Sequence, residues 1–163
     1  MKRLALVLSF TLLGALSAQA QPRMIERFND WGVYSYESGD GTACYLLTVP
    51  KTKAPANVDH GDNFFLIAPG NDRIKYELQA KMGYDLKPGS RLKVQIGDQT
   101  FWMVVKDRTA WVQKEDREPE MISAMRDGSE MTLEATSRRG TETTYTYSLD
   151  GVTAALKRVG RCN

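Results

Sequence analysis

The strongest constraint in this chain is a period of two. From Arg73 to Lys81, Ile74, Tyr76, Leu78 and Ala80 fall on one side, while Arg73, Lys75, Glu77, Gln79 and Lys81 fall on the other. Successive strand side chains point to opposite faces, so this spacing predicts a half-buried β-strand. Arg91–Ile96 repeats the pattern with Leu92, Val94 and Ile96 inward, and Gly97-Asp98 then supplies a two-residue hairpin connection to Thr100–Lys106. Lys87-Pro88-Gly89-Ser90 reads as a turn with Gly89 at positive φ.

The same reading extends over most of the chain. Strands are expected at Trp31–Glu37, Ala43–Val49, Phe64–Ala68 and Thr109–Gln113, and a hairpin at Met131–Arg138 and Glu142–Ser148 about Arg139-Gly140. Pro50–Asn57, with two prolines, reads as a loop. The period changes twice. Pro119–Asp127 carries the stripe Met121, Ile122, Met125 and stops at Gly128; Val152, Ala155, Leu156 and Val159 fall at i, i+3, i+4, i+7 before Gly160, with Ser148 as candidate N-cap. About eight strands with two short helices, the last at the C-terminus, predict a mainly β sandwich or barrel.

Location is written at the start. Lys2 and Arg3 precede an apolar run from Leu4 to Ala18, and Ala18-Gln19-Ala20 is a small-x-small cleavage site. The pattern is that of a signal peptide cleaved between Ala20 and Gln21, leaving residues 21–163 as a single domain. The run is shorter than the roughly 20 residues of a membrane span. Removing residues 1–20 takes Lys2 and Arg3 away and brings the formal charge from +2 to zero. A neutral domain is not steered by a large net charge, and no nucleic-acid partner is expected.

Cys44 and Cys162 are the only cysteines, 118 positions apart. In an exported chain an even count favours a disulfide, and two thiols without C-x-x-C spacing argue against zinc or redox chemistry. Other constellations are weaker. Ser90-Arg-Leu-Lys93 matches S-x-x-K, but in a strand its two ends face oppositely. Asp59-His60-Gly61-Asp62 holds the only histidine, either half of an acid–base or metal site or a polar turn. Arg138 and Arg139, and Lys157, Arg158 and Arg161, form two basic clusters: a candidate interaction surface, or a hairpin tip and a last helical turn whose cations suit the dipole. No cofactor motif and no metal set is present in the sequence.

Arg138-Arg139-Gly140-Thr141-Glu142-Thr143-Thr144-Tyr145-Thr146-Tyr147-Ser148-Leu149-Asp150-Gly151, running into the alanine-rich helix from Val152, resembles the C-terminal signature of the invasion-associated locus B family. Asn29-Asp30-Trp31, Cys44-Tyr45-Leu46, Met82-Gly83-Tyr84 before Asp85-Leu86-Lys87, and Ala124-Met125 with Gly128 resemble it in the same order. Where many members carry further cysteines, this chain reads Val33-Tyr34-Ser35 and Ala110-Trp111. The resemblance implies an exported protein of Gram-negative, alphaproteobacterial type and an immunoglobulin-like β-sandwich. Some members are linked to host-cell invasion or stress tolerance, and the family brings no reaction or catalytic residues.

The expectation is therefore a non-enzymatic envelope protein, periplasmic or else outer-membrane-associated or secreted. It would act through contacts with an envelope or host-cell protein. Such a protein should show an aromatic or apolar patch on one sheet face. Two alternatives stand beside it. An envelope enzyme would set His60 in a pocket with an acid. A small-molecule or lipid-binding barrel would enclose an apolar cavity.

Overall fold

The computed structural model describes residues 21–38, 41–71 and 73–162; the expected signal segment, with Ala20 of its cleavage site, lies outside them. Eleven strands run β1 (Arg23–Phe28), β2 (Trp31–Ser38), β3 (Gly41–Thr48), β4 (Thr52–Ala54), β5 (Phe64–Pro69), β6 (Tyr76–Lys81), β7 (Arg91–Ile96), β8 (Gln99–Lys106), β9 (Thr109–Val112), β10 (Glu130–Thr136) and β11 (Glu142–Ser148). Helices α1 (Glu118–Asp127) and α2 (Val152–Val159) complete the chain. The mainly β class with a C-terminal helix stands as expected, but the strands number eleven rather than about eight. The two unforeseen ones are the edges. β1 lacks alternation, is broken by an irregularity between Met24 and Glu26, and leaves Met24 and Ile25 exposed. β4 lies within the proline-bearing segment read as a loop, and its three residues are all exposed. An edge position tolerates the neighbouring prolines.

The strands form one open sheet in the order β1-β2-β3-β5-β6-β9-β8-β7-β10-β11-β4, antiparallel at each pairing. Its two layers arise by curling. β3 is third in the order and β4 eleventh, yet only residues 49–51 join them. That link spans at most about 14 Å, enough to cross between sheet layers about 10 Å apart. Side chains confirm the facing: the Phe65 and Tyr147 rings lie 6.2 Å apart, and Trp31 Nε1 donates to the Ser148 carbonyl at 3.1 Å. The interior is filled by Trp31, Leu46, Phe65, Phe101, Tyr145 and Tyr147, among others. The sheet is open at both edges, and the described interior is packed with these side chains.

The seam between the layers is made by the residues that carry the family resemblance. In the β1–β2 hairpin, Asn29 adopts φ 49°, a conformation that asparagine tolerates. Asn29 Nδ2 donates to Asp150 Oδ1 at 2.9 Å, and Asp30 N donates to the Asp150 carbonyl at 3.3 Å. Asp30 accepts Lys51 Nζ at 2.8 Å, and this bond holds its carboxyl below the usual range. Gly151 (φ 94°) lies so close to Phe28 that an added Cβ would stand 2.0 Å from its carbonyl oxygen. Gly151 is also the N-cap of α2; Ser148 is not, its Oγ accepting Asp150 N at 3.1 Å instead.

Cys44 and Cys162 form a disulfide across a Cα–Cα distance of 6.1 Å. It ties β3 to the segment just beyond α2, whose Val152, Ala155, Leu156 and Val159 are buried. The paired substitution Cys44→Ser/Cys162→Ser is expected to cost about 2–5 kcal/mol. Urea titration of both proteins checks this, with a change under 1 kcal/mol as the contrary result.

Candidate functional site

The expected basic residues lie in two separate places. Ser137–Thr141 form the β10–β11 hairpin, with Gly140 at φ 88°. Arg138 and Arg139 there line a cleft of about 540 Å³ with Tyr84, Asp85 and Arg108. Arg108 Nε donates to Asp85 Oδ1 at 2.9 Å, and Arg138 Nε lies 3.8 Å from Oδ2. The Arg108 bond holds the Asp85 carboxyl below its ordinary range, with Arg138 adding to it. Arg139 is exposed. The second cluster belongs to the end of α2. Arg158 Nε meets Glu26 of β1 at 3.2 Å, while Lys157 and Arg161 are exposed. A different cleft, lined by Val159, Gly160 and Cys162, borders that end of the chain.

His60 does not stand in the cleft. It is 7 % exposed, with Nε2 2.9 Å from the Pro55 carbonyl and Nδ1 2.8 Å from Tyr145 Oη. A carbonyl only accepts, so Nε2 carries a proton. The chain continues from Tyr145 Oη to Tyr84 Oη at 3.2 Å, to Thr143 Oγ1 at 2.6 Å, and on to the Ala135 carbonyl at 3.1 Å. Burial pushes the Tyr145 hydroxyl well above the ordinary phenol range. The polar turn expected around His60 is thus a buried bracket between loop and sheet. Asn63 clamps it, donating to the His60 and Gly61 carbonyls at 3.0 and 3.1 Å and accepting from Gly83 N at 3.2 Å. Gly83 has to be glycine, since a Cβ there would lie 2.5 Å from Asp62 N and the His60 carbonyl oxygen. Ser90 and Lys93 do not meet either: Ser90 Oγ donates to the Lys87 carbonyl, and Lys93 pairs with Glu134.

The outer face of the sheet is the feature that the basic residues concealed. One register row crosses six strands as Leu47, Leu66, Gln79, Trp111, Val104 and Arg91. Beside it stand Trp102 and a tyrosine group in which the Tyr34 and Tyr45 rings stack at 5.4 Å and Tyr36 follows at 5.9 Å from Tyr45. Trp102 is 40 % and Val104 42 % exposed. The Arg91 guanidinium lies 4.4 Å from the Trp102 ring, and Arg91, Trp102, Gln113, Lys114 and Arg117 line a cleft of about 300 Å³. Each strand had its outward residues in plain sight, but only the register puts them in one row.

A last anomaly is Glu118, the first residue of α1. It is 4 % exposed, and its Oε2 is enclosed without a hydrogen-bond partner. Burial pushes its carboxyl up to about 7; the Leu78 backbone N–H opposes this and the charges of Glu77 and Glu115 add to it.

A curled antiparallel sheet, a terminal helix pinned by a disulfide, and an outer face carrying aromatic and cationic side chains together define a mainly β domain. The model of the Invasion associated locus B (IalB) protein family matches residues 31–160, and the chain belongs to that family. No curated protein and no solved structure matches it.

Two predictions come from these buried groups. Tyr145→Phe strips His60 Nδ1 of its partner and should cost about 1–3 kcal/mol, whereas Tyr147→Phe removes a buried hydroxyl that has no partner and should be neutral or stabilising. Denaturant midpoints of the two variants should move in this order. For Glu118, a pKa raised from 4.5 to about 7 means that the folded state holds the proton more tightly than the unfolded state. Stability is then fullest below pH 4.5 and declines as pH rises through 7, by up to about 3 kcal/mol. Urea titrations across this window should show a shallower decline for Glu118→Gln.

Proposed function

We propose that this protein is an exported envelope module without a reaction of its own, which docks a partner protein through the outer face of its sheet. The carrying observation is the row Leu47, Leu66, Gln79, Trp111 and Val104, apolar but for Gln79 and half-buried up to the exposed Val104, with the exposed Trp102 beside it. The solvent face of an antiparallel sheet is ordinarily polar, and contiguous apolar patches mark interaction sites. Tryptophan, tyrosine and arginine are the residues that dominate binding energy at such sites, and Trp102, Tyr36 and Arg91 stand here. Arg138 and Arg139 at the β10–β11 hairpin, and Lys157, Arg158 and Arg161 at the end of α2, are secondary sites for acidic groups of a partner, away from this row. Lys2, Arg3 and the Ala18-x-Ala20 site support export with cleavage before Gln21, and residence in the periplasm, at the outer membrane or outside the cell. Among the described residues no helix is long and apolar enough to cross a membrane. Family membership supports a part in host-cell invasion.

A photo-cross-linking amino acid placed at position 102 or 111 tests this reading in intact cells. A discrete adduct with one envelope or host protein is expected from both positions and not from position 87, in the Lys87–Ser90 turn. Adducts of equal yield from all three positions, or none from 102 and 111, refute it. With the adduct partner purified, Trp102→Ala should weaken binding by about 2 kcal/mol, near thirtyfold.

A further inference from the structure

The Glu118 carboxyl accepts the Leu78 backbone N–H, but its Oε2 is left without a partner. A buried carboxyl with an unpartnered oxygen is costly, and folded proteins retain few such atoms. Glu118 lines a cleft of about 250 Å³ whose walls are Ile74, Tyr76, Pro119 and Ile122. Glu118, Ile122 and Arg126 follow one another at i, i+4 and i+8, a single stripe of α1. The rise of the helix separates its two charged ends by about 12 Å. Glu77 and Glu115 make the Glu118 end negative. The other charged lining residues are cations: Arg126, which is exposed, and Lys75, whose ammonium lies 5.4 Å from the Tyr76 ring centroid.

A simple cation would use Glu118 but meet Lys75 and Arg126; a simple anion would meet the acidic end. The cleft asks for a molecule with an ammonium at one end, an apolar body and an anion at the other. An extended peptide advances 3.3–3.6 Å per residue, so about three residues match the distance. We propose that this cleft binds a short peptide with free ends and apolar side chains, its ammonium donating to Glu118 and its carboxylate directed toward Arg126. Oε2 is enclosed in this structure, so the ammonium reaches the carboxylate by a turn of the Glu118 side chain toward the cleft. The site is distinct from the outer sheet face and does not depend on the docking reading.

Isothermal titration of the oxidised mature protein with the tripeptide Ala-Leu-Ala tests the proposal, with its N-acetylated and C-amidated forms as comparisons. Saturable binding of the free peptide is expected, at least tenfold weaker after N-acetylation and about threefold weaker after C-amidation. Glu118→Gln, which keeps the shape of the side chain, should weaken the free peptide at least tenfold. Arg126→Ala, on an exposed position that leaves the core intact, should abolish the difference between acid and amide. Trp102→Ala should leave all of these values unchanged. Absence of saturable heat with the wild-type protein, equal affinity for acetylated and free peptide, or an acid–amide difference that survives Arg126→Ala overturns it.

Discussion

Asp30 stands where the curled sheet meets itself. Its backbone N–H reaches the Asp150 carbonyl, its own carbonyl accepts Thr48 Oγ1 at 2.8 Å, and its carboxylate holds Lys51. Lys51 in turn donates its backbone N–H to the Thr146 carbonyl at 2.7 Å. One residue thus joins β2, the end of β3, the link into β4 and the segment that leads from β11 to α2. That seam fixes the separation of the two halves of the sheet together with the Trp31–Ser148 hydrogen bond and the disulfide. The packing of Phe65 on Tyr147, and of α2 on β2 and β3, lies within that frame.

The seam also divides the protein's polar chemistry from its apolar surface. Inside, hydrogen bonds are consumed in closed sequences: His60 to Tyr145, Tyr84, Thr143 and the Ala135 carbonyl. A histidine held at both nitrogens serves as a bracket, and its neighbours Asp59 and Gly61, rather than the ring, border the cleft near Arg138. Outside, the sheet presents Trp102, Val104 and the tyrosine stack to solvent. Exposed aromatics outside an already apolar interior are the physical basis for proposing a contact surface.

Much of this fold could be read from the chain because the strands between Arg73 and Lys106 alternate cleanly and the helices carry a stripe. Even there, β6 begins only at Tyr76, since Asn71 draws the preceding residues into a turn: its Oδ1 accepts Arg73 N and Ile74 N. β1 and β4 escaped because edge strands bury little and need no alternation. The candidate sites were less legible. Arg138 and Arg139 were visible as a charge cluster, but Asp85 and Arg108 reach them only through the fold. The outer row depends on register across six strands, and Glu118 in sequence is one of several acids ahead of a helix. Only its surroundings single it out.

The disulfide has a consequence for how the molecule comes into being. Its partners are 118 positions apart, so Cys44 is made long before Cys162 exists to meet it. Until Cys162 is made the earlier thiol has no mate within the chain, and with only two cysteines there is no wrong one either. In the folded domain the bridge joins β3 to the turn beyond α2, elements that the α2 contacts with β2 and β3 also hold together, so it adds a covalent tie to packing made without it. Once set, it keeps the pieces of a chain cut in any loop between residues 44 and 162 on a single covalent body.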